Sequence, residues 1–180
     1  MEKARPRQQL NMNFHFIDFG VNFPIGVYSK KHKAFADIRE GGKVLIPNDP
    51  TNGGRVLLLL RDKGAIKRKD GVGFKPTVLD ITENLGKLKF IEVDAAQAPR
   101  ALDDVDAAAI STNCATQAGL DPVKDPILRE DPRGPYVNLI AVQTADKGKP
   151  WAKILVDSYH TPEVKEFALT KFRGAVLPSW

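Results

Sequence analysis

The stretch from Lys43 to Leu60 constrains this chain most. Lys43-Val44-Leu45-Ile46-Pro47 reads as a short buried strand with a proline at its end. Asn48-Asp49-Pro50-Thr51-Asn52-Gly53-Gly54-Arg55 follows, and then the apolar run Val56-Leu57-Leu58-Leu59-Leu60. By pattern alone that run fits a strand or a helix. Its flanks decide. Asp49, Thr51 and Asn52 are of the type that caps a helix start, Pro50 suits a first turn, and Gly64 behind Lys63 suits a stop. A helix is predicted from Thr51 to Lys63, and its unbroken leucines require cover on more than one side.

Similar arguments extend along the chain. Phe23-Pro24-Ile25-Gly26-Val27-Tyr28-Ser29 reads as a strand, and a short helix is expected around Ala34–Ile38. Further strands are expected at Leu88–Val93, Asp106–Ile110 and Tyr136–Val142. Helices are predicted at Val78–Leu85, Gln97–Leu102, Trp151–Tyr159 and Pro162–Phe172, with a short helix or loop at Asn113–Ala118. The last long helix has Thr161 as cap, Pro162 in its first turn and Gly174 beyond its end. Asp121 to Gly134, rich in Pro and Asp, is expected to be largely loop. Residues 1 to about 20 show no clean period. Strands alternating with helices make the expected class α/β.

Chemistry is sparse. At the start of the Thr51–Lys63 helix, unpaired backbone N–H groups and the positive end of the dipole favour an anion. Gly53 and Gly54 would let that anion approach the backbone, and Arg55 adds a fork suited to carboxylate or phosphate. A capped helix whose arginine reaches solvent fits the same residues. The ending of a nucleotide-binding P-loop is absent. Asn113 and Asn138 lie beside or within apolar strands and must find partners, either a polar ligand or neighbouring backbone. Asp70-Gly71-Val72-Gly73-Phe74 is too short for a dinucleotide fingerprint and reads as a turn. Asp103, Asp104 and Asp106 could suggest a metal or acid–base site, but Asp103 and Asp104 read as a solvated turn. No nucleophile elbow is present, and Cys114 lacks a neighbouring histidine in sequence.

The formal charge is +5. Its basic residues are scattered, and the one tight run, Lys67-Arg68-Lys69, reads as a solvated loop; no nucleic-acid motif accompanies it. Cys114 is the only cysteine, and His15, His32 and His160 are far apart in sequence, so neither a disulfide framework nor a metal-ligand spacing exists. No cofactor motif is found. Met1-Glu2-Lys3-Ala4-Arg5-Pro6-Arg7 has the charge of a signal start, but Gln8, Gln9, Asn11 and Asn13 interrupt the apolar core that should follow. As written, the chain is expected to carry no export signal and to stay in the cytoplasm.

Several long motifs, in order, resemble one family. They are Tyr28-Ser29-Lys30-Lys31, Ile46 to Arg55 with the leucines behind it, Ala96-Gln97-Ala98-Pro99-Arg100-Ala101-Leu102-Asp103-Asp104-Val105-Asp106-Ala107, and Ala118-Gly119-Leu120-Asp121-Pro122. Gly134-Pro135-Tyr136-Val137-Asn138 and the tail from Val164-Lys165 to Gly174-Ala175-Val176 belong with them. Together they resemble the NlpA/MetQ lipoproteins, the substrate-binding components of methionine ABC importers, from about Phe23 to Trp180.

The resemblance implies a type II periplasmic binding fold and a binding protein rather than an enzyme. Its ligand would be methionine or a related amino acid, and its partners an ABC permease and ATPase in the cell envelope. It implies that Arg55 holds the ligand carboxylate and that Asn113 and Asn138 contact the polar end. It also implies an N-terminally incomplete copy: a non-matching segment at 1–21, the second lobe at 22–146, and helices at 147–180 that would return to the first lobe. Family members precede this region with a lipid-modified cysteine and an aromatic-rich segment for the ligand side chain. The isolated chain is therefore expected to bind methionine weakly or not at all, and to self-associate through exposed apolar surface. Cys114 stands where an aromatic residue is usual. The competing readings are a transferase-type enzyme on a related two-lobed fold and a non-transport interaction module.

Overall fold

Short apolar strands with a residue-by-residue change of face build the central sheet of the computed structural model, which describes residues 13–180. Its strands are β2 (Ile25–Tyr28), β3 (Lys43–Pro47), β6 (Lys89–Val93), β7 (Ala107–Ser111) and β8 (Leu128–Arg129). They lie in the order β6-β3-β7-β2-β8, with β3 parallel to β6 and β7, and β2 antiparallel to β7 and β8. Val44, Ile46, Ala107 and Ala109 face one core. Leu45, Ala108 and Ile110 face another. A sheet covered on both sides accounts for strands that read as continuous apolar runs.

The first core is filled by helix α1 (Pro50–Asp62), within a residue of the predicted span. Asp49 caps it, accepting from the Asn52 N–H, and Pro50 sits in the first turn. Leu57 to Leu60 are all buried, and Leu57, Leu59 and Leu60 pack in one core with sheet residues and with Ile66 and Leu88. Each such leucine contributes about 1.5–3 kcal/mol by leaving water.

A second sheet is three-stranded and antiparallel, in the order β10-β1-β9, from β1 (Phe14–Asn22), β9 (Val137–Gln143) and β10 (Leu177–Pro178). Helices α3 (Pro150–Tyr159) and α4 (Pro162–Lys171) lie between β9 and β10 in the chain. Strand β9, within the span 22–146 assigned to the second lobe, pairs in this other sheet. The chain crosses between the sheets twice, at Phe23-Pro24 and over 130–136.

Three expectations require correction. The segment to about residue 20 has an ordered strand where no period is visible, and residues 1–12 lie outside the described residues. Its register against β9 shifts between Phe16 and Asp18 and again between Phe19 and Asn22. Each irregularity moves later side chains off the alternating pattern, so the strand leaves no period of two in the sequence. The predicted helix at Val78–Leu85 is a single 3-10 turn, Val78–Asp80, followed by strand β5 (Ile81–Asn84). The Asp80 carboxylate accepts from the Thr77 N–H and closes that turn. The supposed solvated loop at Lys67–Lys69 largely belongs to strand β4 (Ile66–Arg68), which pairs with β5. Lys67 there faces Glu83, at Nζ–Oε2 2.8 Å.

Candidate functional site

Three connections meet at one end of the central sheet. The chain leaves β3 into α1 and returns on the far side at β6. It leaves β7 into helix α2 (Thr112–Gln117) and returns at β8, beyond β2. Adjacent parallel strands whose connections run in opposite directions leave a crevice beyond their carboxyl ends. The first crossing between the sheets arrives there too, since Ile25 at the start of β2 pairs with Ser111 at the end of β7.

Arg55, on the second turn of α1, is buried at this place, with its side chain 10% exposed. Its Nε donates to Glu130 Oε1 at 3.1 Å, and its Nη2 to Glu130 Oε2 at 2.5 Å and to the Phe23 carbonyl at 3.1 Å. Its Nη1 donates to Asn52 Oδ1 at 3.3 Å. The Tyr136 ring covers the guanidinium face, 4.5 Å from ring centroid to Cζ. Burial, and then the Glu130 carboxylate, hold the Tyr136 phenol above its usual range, so the ring over the cation is neutral. Arg55 is thus neither a solvent-directed side chain nor a vacant cation: a resident carboxylate already faces it in a fork-to-fork pair.

The helix start is occupied as well. The Asp49 carboxylate takes both the Asn52 backbone N–H and the Asn52 Nδ2. Gly53 and Gly54 serve packing rather than anion approach. A Cβ on Gly53 would lie 2.6 Å from the Pro47 carbonyl oxygen, and one on Gly54 would lie 3.0 Å from Lys75 Cα. Their bareness lets α1 close on the end of β3 and on the segment at 74–76.

Asn113 and Asn138 are both exposed. Asn113 follows Thr112, whose buried hydroxyl donates to the Pro24 carbonyl at 2.6 Å. Asn138 follows Val137, which pairs with Asn22. Arg55 itself bonds Phe23. Arg55 thus bonds the crossing Asn22-Phe23-Pro24 directly, and the residues preceding Asn113 and Asn138 contact it from two other elements. The cavity of about 310 Å³ beside Arg55 is walled by Glu130, Tyr136, Phe74, Leu58 and Leu59 among others, and neither asparagine lines it.

Glu130, Tyr136 and Asn22 belong to this arrangement although no local pattern marks them as site residues. Glu130 Oε2 also accepts the Ile25 N–H at 2.8 Å, and the Glu130 N–H donates to the Ile25 carbonyl. Asn22 is buried, and its Nδ2 donates across to the Pro132 and Gly134 carbonyls. The two crossings are thus stitched to each other and to α1. Asp106, from the acidic cluster near β7, is spent structurally: it accepts from the Lys43 N–H and sits 3.1 Å from His32 Nε2.

Comparison with known proteins shows the family. The sequence model of the NlpA lipoprotein family matches residues 7–180, beginning ahead of the first quoted motif. The D-methionine-binding lipoprotein MetQ of Escherichia coli K12 is 48% identical over 160 residues, covering 88% of this chain and 59% of that protein. MetQ of Salmonella typhimurium is 48% identical over 178 residues, covering 97% of this chain and 66% of its own length. A nutrient-binding protein from Burkholderia cenocepacia, solved bound to methionine, superposes with a TM-score of 0.90 at 49% identity. The superposition covers 96% of this chain and 73% of that one. The chain thus spans about three-fifths of the length of the E. coli relative.

Proposed function

The chain belongs to the NlpA lipoprotein family, and from that premise we propose that it contributes one wall of an amino-acid site in a methionine-type ABC importer. The five-stranded sheet with α1 and α2 forms that wall. The three-stranded sheet with α3 and α4 belongs to the first lobe, and the two crossings form the hinge between the lobes. Arg55 addresses the carboxylate of the solute, and Asn113 and Asn138 its polar end. The relatives are named as binding proteins, which favours binding over catalysis as the role. The partners are a permease and ATPase pair, and the place of work is the cell envelope.

One observation carries this reading. The Arg55 guanidinium bonds the Phe23 carbonyl, and the chain neighbours of the two exposed asparagines, Thr112 and Val137, contact the same crossing at Pro24 and Asn22. The wall offers polar groups for the amino-acid end, while the cavity beside Arg55 is lined by neither Asn113 nor Asn138. Weak binding follows. Titration of the labelled chain with methionine at millimolar concentrations should shift the resonances of Asn113, Asn138 and the Arg55 region, and those shifts should vanish in Asn113→Ala and Asn138→Ala. Shifts elsewhere, or none at these residues, would remove the basis of the proposal.

A further inference from the structure

We propose that Glu130 sets which solutes this site accepts: it cancels the charge of Arg55, so that the site admits the carboxylate of a zwitterion and turns away solutes with net negative charge. The inference rests on the reading that Arg55 faces the solute.

A guanidinium has one N–H on Nε and two on each Nη. Nε and one Nη2 hydrogen are spent on Glu130, the other Nη2 hydrogen on Phe23, and one Nη1 hydrogen on Asn52. A single Nη1 hydrogen is left without an acceptor among the described residues. A solute carboxylate therefore meets Arg55 end-on, through one bond, and not as the fork-to-fork partner that an open arginine would accept.

Glu130 does not step aside for it. The carboxylate is 9% exposed and also carries the Ile25 N–H at 2.8 Å. Displacing it would strand a buried anion and a buried backbone donor together, a loss that one new bond to a ligand does not recover. A neutral pair beneath the site exerts little net attraction on an anion, and the fixed Glu130 carboxylate repels a second negative charge. Discrimination against dicarboxylates and phosphates then comes from a repulsive group rather than from a better fit to the accepted solute.

The test follows the Arg55 Nε–H by nuclear magnetic resonance in the full chain while succinate or acetate is added. In the unaltered chain this proton should be protected from solvent exchange and should not move with either anion. In Glu130→Gln it should move with succinate, with an apparent affinity for the dianion tighter by on the order of tenfold. Movement of the unaltered Nε–H with succinate would show Glu130 displaced and overturn the proposal, as would a Glu130→Gln chain that folds and gains nothing for succinate. If the variant does not fold, the unaltered chain decides alone, by protection or movement of that proton. Methionine titration separates the two ideas: a gain for succinate without any methionine-dependent shift at Asn113 or Asn138 would keep the role of Glu130 and discard the importer site.

Discussion

Arg55 and Glu130 form a buried ion pair, and pairs of this kind are costly to break by halves. Removing one partner leaves an uncompensated charge, so Glu130→Ala should lower unfolding stability by about 3–5 kcal/mol in urea titrations. Replacing both, as Arg55→Met with Glu130→Leu, should recover most of that loss. If the double variant is no more stable than the single one, the pair is not the source of the effect. Asp106 makes a different prediction. Its carboxyl is held below the usual range, first by the Lys43 N–H and then by His32. A carboxyl with a depressed pKa in the folded state stabilises fully above its unfolded value, and that contribution is lost as pH falls through the folded one. Asp106→Asn should therefore flatten the acid side of the stability profile and lower stability at neutral pH. Arg55 was legible as a site candidate because its helix start and glycines are local. Glu130 was not, because its meaning lies in residues 75 and 105 positions away.

Elements whose signals are local are legible in the sequence. Helix α1 announces itself by Asp49 and Pro50, and α4 by Thr161, whose hydroxyl oxygen accepts the Val164 N–H. Asp49→Ala should cost about 1 kcal/mol through the lost cap, seen as a lower urea midpoint. Gly53→Ala is the sharper test of how α1 sits. Helix propensity alone favours alanine by about 1 kcal/mol. The Pro47 carbonyl leaves no room for the added methyl, so the net effect should be destabilising by about 1–3 kcal/mol. A stabilised variant would mean that α1 does not close on β3 as described. Elements defined by distant partners carry no such local signal. Strand β5 is a strand because β4 lies beside it, and β1 is a strand because β9 and β10 flank it. Helical spacing over Val78–Leu85 was a real pattern that long-range pairing overrode.

At the scale of the whole molecule, two sheets of unequal completeness are joined. The five-stranded sheet has a core on each face. The three-stranded sheet and its helices leave large apolar side chains in water, including Phe14 at 56%, Leu139 at 56%, Ile154 at 63% and Phe167 at 63%. Exposure on this scale calls for cover. Sedimentation should show the average mass of the chain rising with concentration, and Leu139→Glu with Phe14→Glu should suppress the rise; a concentration-independent monomer would refute this. The double crossing has a mechanical consequence. Two backbone ties side by side should hinder twisting of one half against the other more than bending across them. Glu130 stands at the head of one tie and bonds Ile25 just beyond the other, so shortening or removing it should loosen the two ties against each other.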